Sequence, residues 1–110
     1  MTGTANQIEW AQQIKLRANA EFDRVAKAFE GAASKQTEDD RTETLAVIAI
    51  LEEKRAEVMA QDKAGYFIKD WQELTDQVRQ MISKDSRYQA IKAKKADRRT
   101  ELQIKRKLGT

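Results

Sequence analysis

Eight cationic side chains crowd into residues 92–107: Lys92, Lys94, Lys95, Arg98, Arg99, Lys105, Arg106 and Lys107. Clustered ammonium and guanidinium groups attract polyanions, because neutralising phosphates releases the counterions condensed on them. They attract acidic protein patches by the same Coulomb force. Within this stretch only Asp97 and Glu101 oppose them, so it carries +6. The whole chain carries +3, which leaves −3 on the remainder. The charge pattern is therefore an acidic-to-neutral body with a basic C-terminal segment. No aromatic side chain lies among these cations to stack on bases, and no recognition-helix signature is present. Lys92, Lys94, Lys95, Arg98, Arg99, Lys105 and Arg106 are the candidate contacts for an acidic protein partner or for nucleic acid. The plain alternative is a solubilising tail.

The second group of interest is aromatic. Tyr66, Phe67 and Trp71 fall at a helix junction, and Trp10 lies near the start of the chain. Aromatics at such junctions fill cores, and they are also enriched in interface hot spots. Tyr66, Trp71 and Trp10 are the candidate protein-interface residues.

Other chemistry is poorly provided for. The 110 residues include no His, no Cys and no Pro. Without imidazole or thiol the chain lacks the usual proton shuttle, the strongest nucleophile and the ligands of zinc and copper sites. Glu38, Asp39 and Asp40 lack the alternating-oxygen pattern of a calcium loop and suit the positive end of a helix dipole. Glu52, Glu53 and Glu57 are interleaved with Lys54 and Arg55, as on a solvated helix face. The four glycines are dispersed, so no phosphate-cradling loop is formed. The expectation is a protein without enzymatic activity, cofactor or metal.

These side chains must be positioned by helices. Thr4 with Gln7 fits a capping box. Ile8, Ala11, Ile14, Ala18, Phe22, Val25 and Phe29 then recur at steps of three and four, which keeps them on one helix face. A first helix is predicted over about Gln7–Phe29, with Gly31 as its left-handed stop. Thr37 is the predicted N-cap of a second helix running to about Asp62. The middle of that helix, from Leu45 to Leu51, is apolar on all sides, which predicts a central helix contacted from two directions. Phe67, Trp71, Leu74, Val78 and Ile82 form one stripe of a third helix. Asp85 is a candidate cap for a fourth helix that begins with Tyr88 and Ile91, docks by its first turns and then loses its apolar signal. The longest apolar run is far short of the roughly 18 residues of a membrane span. The first residues lack the regions of a signal peptide.

The opening Gln7-Ile8-Glu9-Trp10-Ala11-x-x-Ile14 resembles the start of small bacterial proteins carried by phages, plasmids and other accessory DNA. That resemblance implies a small inhibitor or adaptor that acts by binding, such as an inhibitor of a host defence complex. It carries no functional residue with it.

The combined expectation is an all-α, four-helix bundle with a central second helix. Residues 1–91 form the body, and residues 92–110 a basic helical extension of the same domain. The expected function is protein binding in the cytoplasm, with no membrane partner. Nucleic-acid binding through residues 92–107 is the alternative, a structural adaptor is another, and a homodimer remains open.

Overall fold

The computed structural model describes the backbone of residues 1–108 and the side chains of residues 1–98. Among them are five helices: α1 (Ala5–Ala33), α2 (Glu38–Met59), α3 (Ala64–Asp70), α4 (Leu74–Ser83) and α5 (Ser86–Leu108). No strand occurs among the described residues, apart from a single bridge between Thr2 and Lys63. The fold is all-α.

The start of α1 follows the capping box. The Gln7 backbone N–H donates to Thr4 Oγ1 at 3.2 Å, and the Thr4 N–H donates to Gln7 Oε1 at 3.0 Å. Its end departs from the sequence expectation, because the helix runs through Gly31 to Ala33. No left-handed turn closes it: Ser34 stays in the right-handed region, and the Ser34, Lys35 and Gln36 N–H groups donate back to the Glu30, Ala32 and Ala33 carbonyls. Arg41 Nε donates to the Ala33 carbonyl at 3.1 Å, and its Nη2 donates to that of Gln36 at 3.3 Å. Those bonds add a second donor at the Ala33 carbonyl, which also accepts from the Gln36 N–H at 3.2 Å, and tie the α1–α2 loop to α2.

The predicted third helix is two helices, and five replace the expected four. The stripe itself is right: Phe67, Trp71, Val78 and Ile82 are all buried, and Leu74 is half-buried. The backbone breaks inside it. Trp71 caps α3 with φ −115° and ψ 31°, and α4 starts only at Leu74. The short α3 can therefore lie along α1 while α4 turns to meet both α1 and α2.

The core is built on α1. Ala11, Ile14, Ala18, Phe22 and Ala26 form its buried stripe. Phe22 meets Trp71 with ring centroids 5.8 Å apart. Both rings are buried, together with Leu51, Val58, Phe67 and Val78. The second helix is not uniquely central: α1 lies against α2, α3 and α4, while α2 lies against α1, α4 and α5. Nor is its apolar middle covered all round. Val47, Ile50 and Leu51 are buried, Ile48 is half-buried, and Leu45 is 51% exposed.

The N-terminal residues are tied to the α2–α3 connection. Thr2 N–H donates to the Asp62 carbonyl at 2.7 Å, and Ala64 N–H donates to that of Thr2 at 2.9 Å. Gly3 makes this approach possible. Its φ is +143°, and a Cβ there would stand 3.0 Å from that of Ala64.

The last helix gives the molecule its length. A compact chain of this size has a radius of gyration near 13 Å; here it is 18.3 Å, with a long axis of 69 Å. Helix α1 accounts for only about 44 Å of that, and α5, which runs past the start of α2, extends it.

Candidate interaction groove

Helix α5 runs antiparallel to α2 and is held by charge at two places, its start and its middle. At its start Asp85 accepts from the Arg87 backbone N–H at 2.8 Å, acting as its N-cap. The same carboxylate pairs with Arg87 at 2.9 Å and with Lys54 of α2 at 3.3 Å. Arg87 reaches on to Glu53 of α2 at 2.7 Å. The Arg87 guanidinium beside it, with Lys54, holds the Asp85 carboxyl well below the usual carboxylate range. Asp85, and after it Glu53, holds Arg87 above its ordinary value. Thirteen residues further along α5, Arg98 meets Glu43 at 2.6 Å and Asp40 at 3.2 Å, both near the start of α2. In this register the first residue of α2, Glu38, lies opposite about residue 102, so the end of α5 runs past α2.

Between these two places the packing is incomplete. A cleft of about 550 Å³ lies between α1, α2 and α5, walled by Phe29, Val47, Tyr88 and Ile91. A second of about 480 Å³ lies between α1, α4 and the start of α5, walled by Val25, Val78 and Ile82. Phe29, Tyr88 and Lys92 line both, so the two clefts flank one shared partition. Volumes of this size are typical of ligand and side-chain pockets. Here aliphatic and aromatic side chains alternate with charged ones, Glu43, Lys92 and Lys95 in the first cleft and Glu21, Arg24 and Arg79 in the second.

Of the described cations of α5, Lys92 and Lys95 border this groove, while Arg87, Lys92 and Lys94 are exposed. Tyr88, Ile91, Lys95 and Arg98, spaced by three and four, are the half-buried side of the helix. Lys92 and Lys95 line the first cleft. Lys92 lies over the Tyr88 ring, 5.8 Å from its centroid. Lys94 and Arg98 flank a smaller hollow with Asp39, Thr42 and Glu43. Arg98 is thus already engaged by the chain's own acids. Arg99, Lys105 and Arg106 have side chains outside the described residues, as does the end of the 92–110 extension.

The three aromatic candidates do not form one surface. Trp71 is only 1% exposed, so it belongs to the core and offers no accessible contact. Its position at the α3–α4 break, facing Phe22, explains that burial. Its Nε1 has no hydrogen-bond partner. Tyr66 is half-buried, edge-on to Phe67 with centroids 5.0 Å apart. Trp10 is 53% exposed. It borders a hollow of about 200 Å³ with Ile14, Arg17, Trp71 and Leu74, away from the α5 groove.

Sequence reasoning missed the residues that wall the groove. Phe29 reads as one more member of a core stripe, and Tyr88 as the docking turn of the last helix. The intramolecular partners of Arg98 were also missed. The available signal was the opposite charge of the α2 start and the 92–107 segment, since Asp40 and Glu43 sit on the acidic side of that division.

Among the described residues no group of three His, Cys, Asp or Glu could hold a metal ion. No helix among them is long and apolar enough to cross a membrane. No family model, no curated protein and no solved structure matches this chain.

Proposed function

We propose that this chain is a protein-binding module without enzymatic chemistry, and that its partner docks in the groove beneath α5. One observation carries the reading. A helix tied to α2 by ion pairs at its start and again at Arg98, near its middle, leaves two clefts open beside Phe29 and Tyr88. Apolar concave surfaces rimmed by polar groups are where partner side chains anchor, and aromatic anchors contribute most to such interfaces. The likeness of the first helix to small accessory-DNA proteins adds a role to the binding: inhibition of a host complex such as a nucleic-acid-targeting defence assembly.

Direct nucleic-acid binding through residues 92–107 is the weaker reading. Arg98 is spent on Asp40 and Glu43, and those acids lie beside the cations that a phosphate backbone would approach.

Affinity capture from bacterial lysate tests the proposal, with the chain compared against a Tyr88→Arg variant. Tyr88 is half-buried, so the variant is first checked for unchanged helicity and melting temperature. The expected result is a protein retained by the wild type and lost from the variant. Equal recovery by both, or none by either, would overturn groove-mediated binding. Fluorescence anisotropy with labelled DNA and RNA near 150 mM salt checks the other reading, since non-specific binders there fall at roughly 1–100 μM.

A further inference from the structure

We infer that the α5 groove takes an acidic amphipathic segment, whose apolar side chains enter beside Phe29 and Tyr88 and whose carboxylates meet Lys92 and Lys95. The inference rests on the groove being the docking site and adds the chemistry of its occupant.

Charge complementarity selects that occupant. Most charges around the clefts are already neutralised. Arg24 is paired with Glu21, Arg98 with Glu43 and Asp40, and Arg79 with Asp76 at 4.0 Å. Lys92 and Lys95 have no carboxylate partner among the described residues. Glu43 lines the same cleft but is held by Arg98. Lys95 is half-buried, and Lys92 is stacked on Tyr88. Two ammonium groups at the lip of an apolar cleft favour an incoming carboxylate and repel an incoming cation.

The shape of the site points the same way. Lys92 and Lys95 lie three residues apart on one helix, about 4.5 Å along its axis. Carboxylates three or four residues apart on a facing helix match that spacing. The clefts on either side of Phe29 and Tyr88 offer apolar surface beside those cations, as the groove does in helix-in-groove recognition. A nucleic-acid backbone would supply the charge but nothing to fill the clefts. A second copy meeting this one groove to groove would bring its own Lys92 and Lys95 toward these, a like-charge approach.

The test uses the full chain and a synthetic peptide of about 14 residues, with Leu at i, i+3, i+4 and i+7 and Glu along both flanks of that stripe. A second peptide has Lys at every Glu position. Anisotropy of the labelled peptides is measured near 150 mM salt, where long-range attraction is largely screened. The acidic peptide is expected to bind at least about tenfold tighter than its Lys counterpart. Lys92→Glu with Lys95→Glu should invert that preference. Gain of Lys-peptide binding shows that the variant is folded and that the charges face the ligand.

An acidic peptide with Kd weaker than about 1 mM would overturn the inference. So would equal binding of the two peptides, or a preference left unchanged by the double variant. Duplex DNA bound more tightly than the acidic peptide, through Lys92 and Lys95, would assign the lip to nucleic acid. Self-association lost with the double variant would assign it to a second copy, and either result overturns the acidic segment. Tyr88-dependent capture from lysate alongside a failed peptide would leave the docking site standing and remove only the acidic occupant.

Discussion

The body and the last helix are held by different forces. In the body, Phe22, Leu51, Val58, Phe67, Trp71 and Val78 are fully buried against one another. Along α5, Tyr88 and Ile91 are only half-buried beside open clefts, and the fixed points are ion pairs at Asp85 and Arg98. Close-packed side chains resist displacement because any shift loses many contacts at once. Ion pairs in partial contact with water contribute about 0.2–1 kcal/mol each and are screened by salt. The region that can open at low cost is therefore the one that carries the groove. Binding sites are commonly drawn from such less stable parts of a fold.

The largest break in that contrast is expected in the body. Trp71→Ala should cost about 3–5 kcal/mol, because it removes the ring that faces Phe22 and leaves a cavity. Urea denaturation followed by circular dichroism measures it. A loss under about 1 kcal/mol would mean that the α3–α4 break is not a structural anchor.

Gly3→Val comes next. The residue has φ +143°, a region nearly closed to β-branched residues, and its Cβ would crowd Ala64 at 3.0 Å. A destabilisation of about 1–3 kcal/mol is expected, together with a freed N-terminus. Faster amide exchange at Thr2 and Ala64 checks this, since both N–H groups are bonded across the Thr2–Lys63 bridge.

What could be read from the sequence follows from how local each signal is. The capping box at Thr4 and Gln7, the α1 stripe and the cap at Asp85 are set by neighbours within four residues, and all three are present. The end of α1 was misplaced because Gly31 stays helical and a right-handed turn at Ser34 closes the helix, with a further bond from Arg41, eight residues beyond Ala33. The break at Trp71 was signalled only by the capping-type spacing of Asp70 and Glu73, which reads equally as the start of one helix, because the apolar period continues through it and no Gly or Pro marks it. The groove was invisible for a similar reason. Periodicity identifies Phe29, Tyr88 and Ile91 as inward-facing, but not whether the space between them is filled. The pairing of Arg98 with Asp40 and Glu43 spans 58 and 55 residues, a separation that only the α2–α5 register settles.

The charge at the start of α5 sets a pH dependence of intermediate size. The Asp85 carboxyl is lowered in the folded chain, so its contribution is fully present above the unfolded value near 4 and is lost as pH falls below it. Glu21, lowered chiefly by Arg24, and Asp23, lowered chiefly by Lys27, act in the same direction. Stability should therefore decline below about pH 4, and less steeply in Asp85→Asn. Asparagine keeps a capping oxygen but cannot pair with Lys54 and Arg87. Thermal melts of both proteins between pH 2 and 5 test this. Identical slopes would show that the Asp85 network contributes nothing.

The smallest effect is expected at the second ion-pair site, in the middle of α5. Arg98→Ala should lower global stability by no more than about 1 kcal/mol, since the pair with Asp40 and Glu43 is partly exposed. Its local effect should exceed its global one, with amide exchange in α5 rising and that of α1 unchanged.

Native-state amide exchange at low and high salt tests the division between the two regions most directly. Wild-type chain is compared at about 20 and 500 mM NaCl, where the Debye length falls from about 20 Å to about 4 Å. The expected result is faster exchange at high salt for the described part of α5, residues 88–98, with the amides around Phe22, Leu51 and Val58 unchanged. Uniform change across all helices, or an α5 whose protection is insensitive to salt, would contradict a last helix fastened by charge over an open groove.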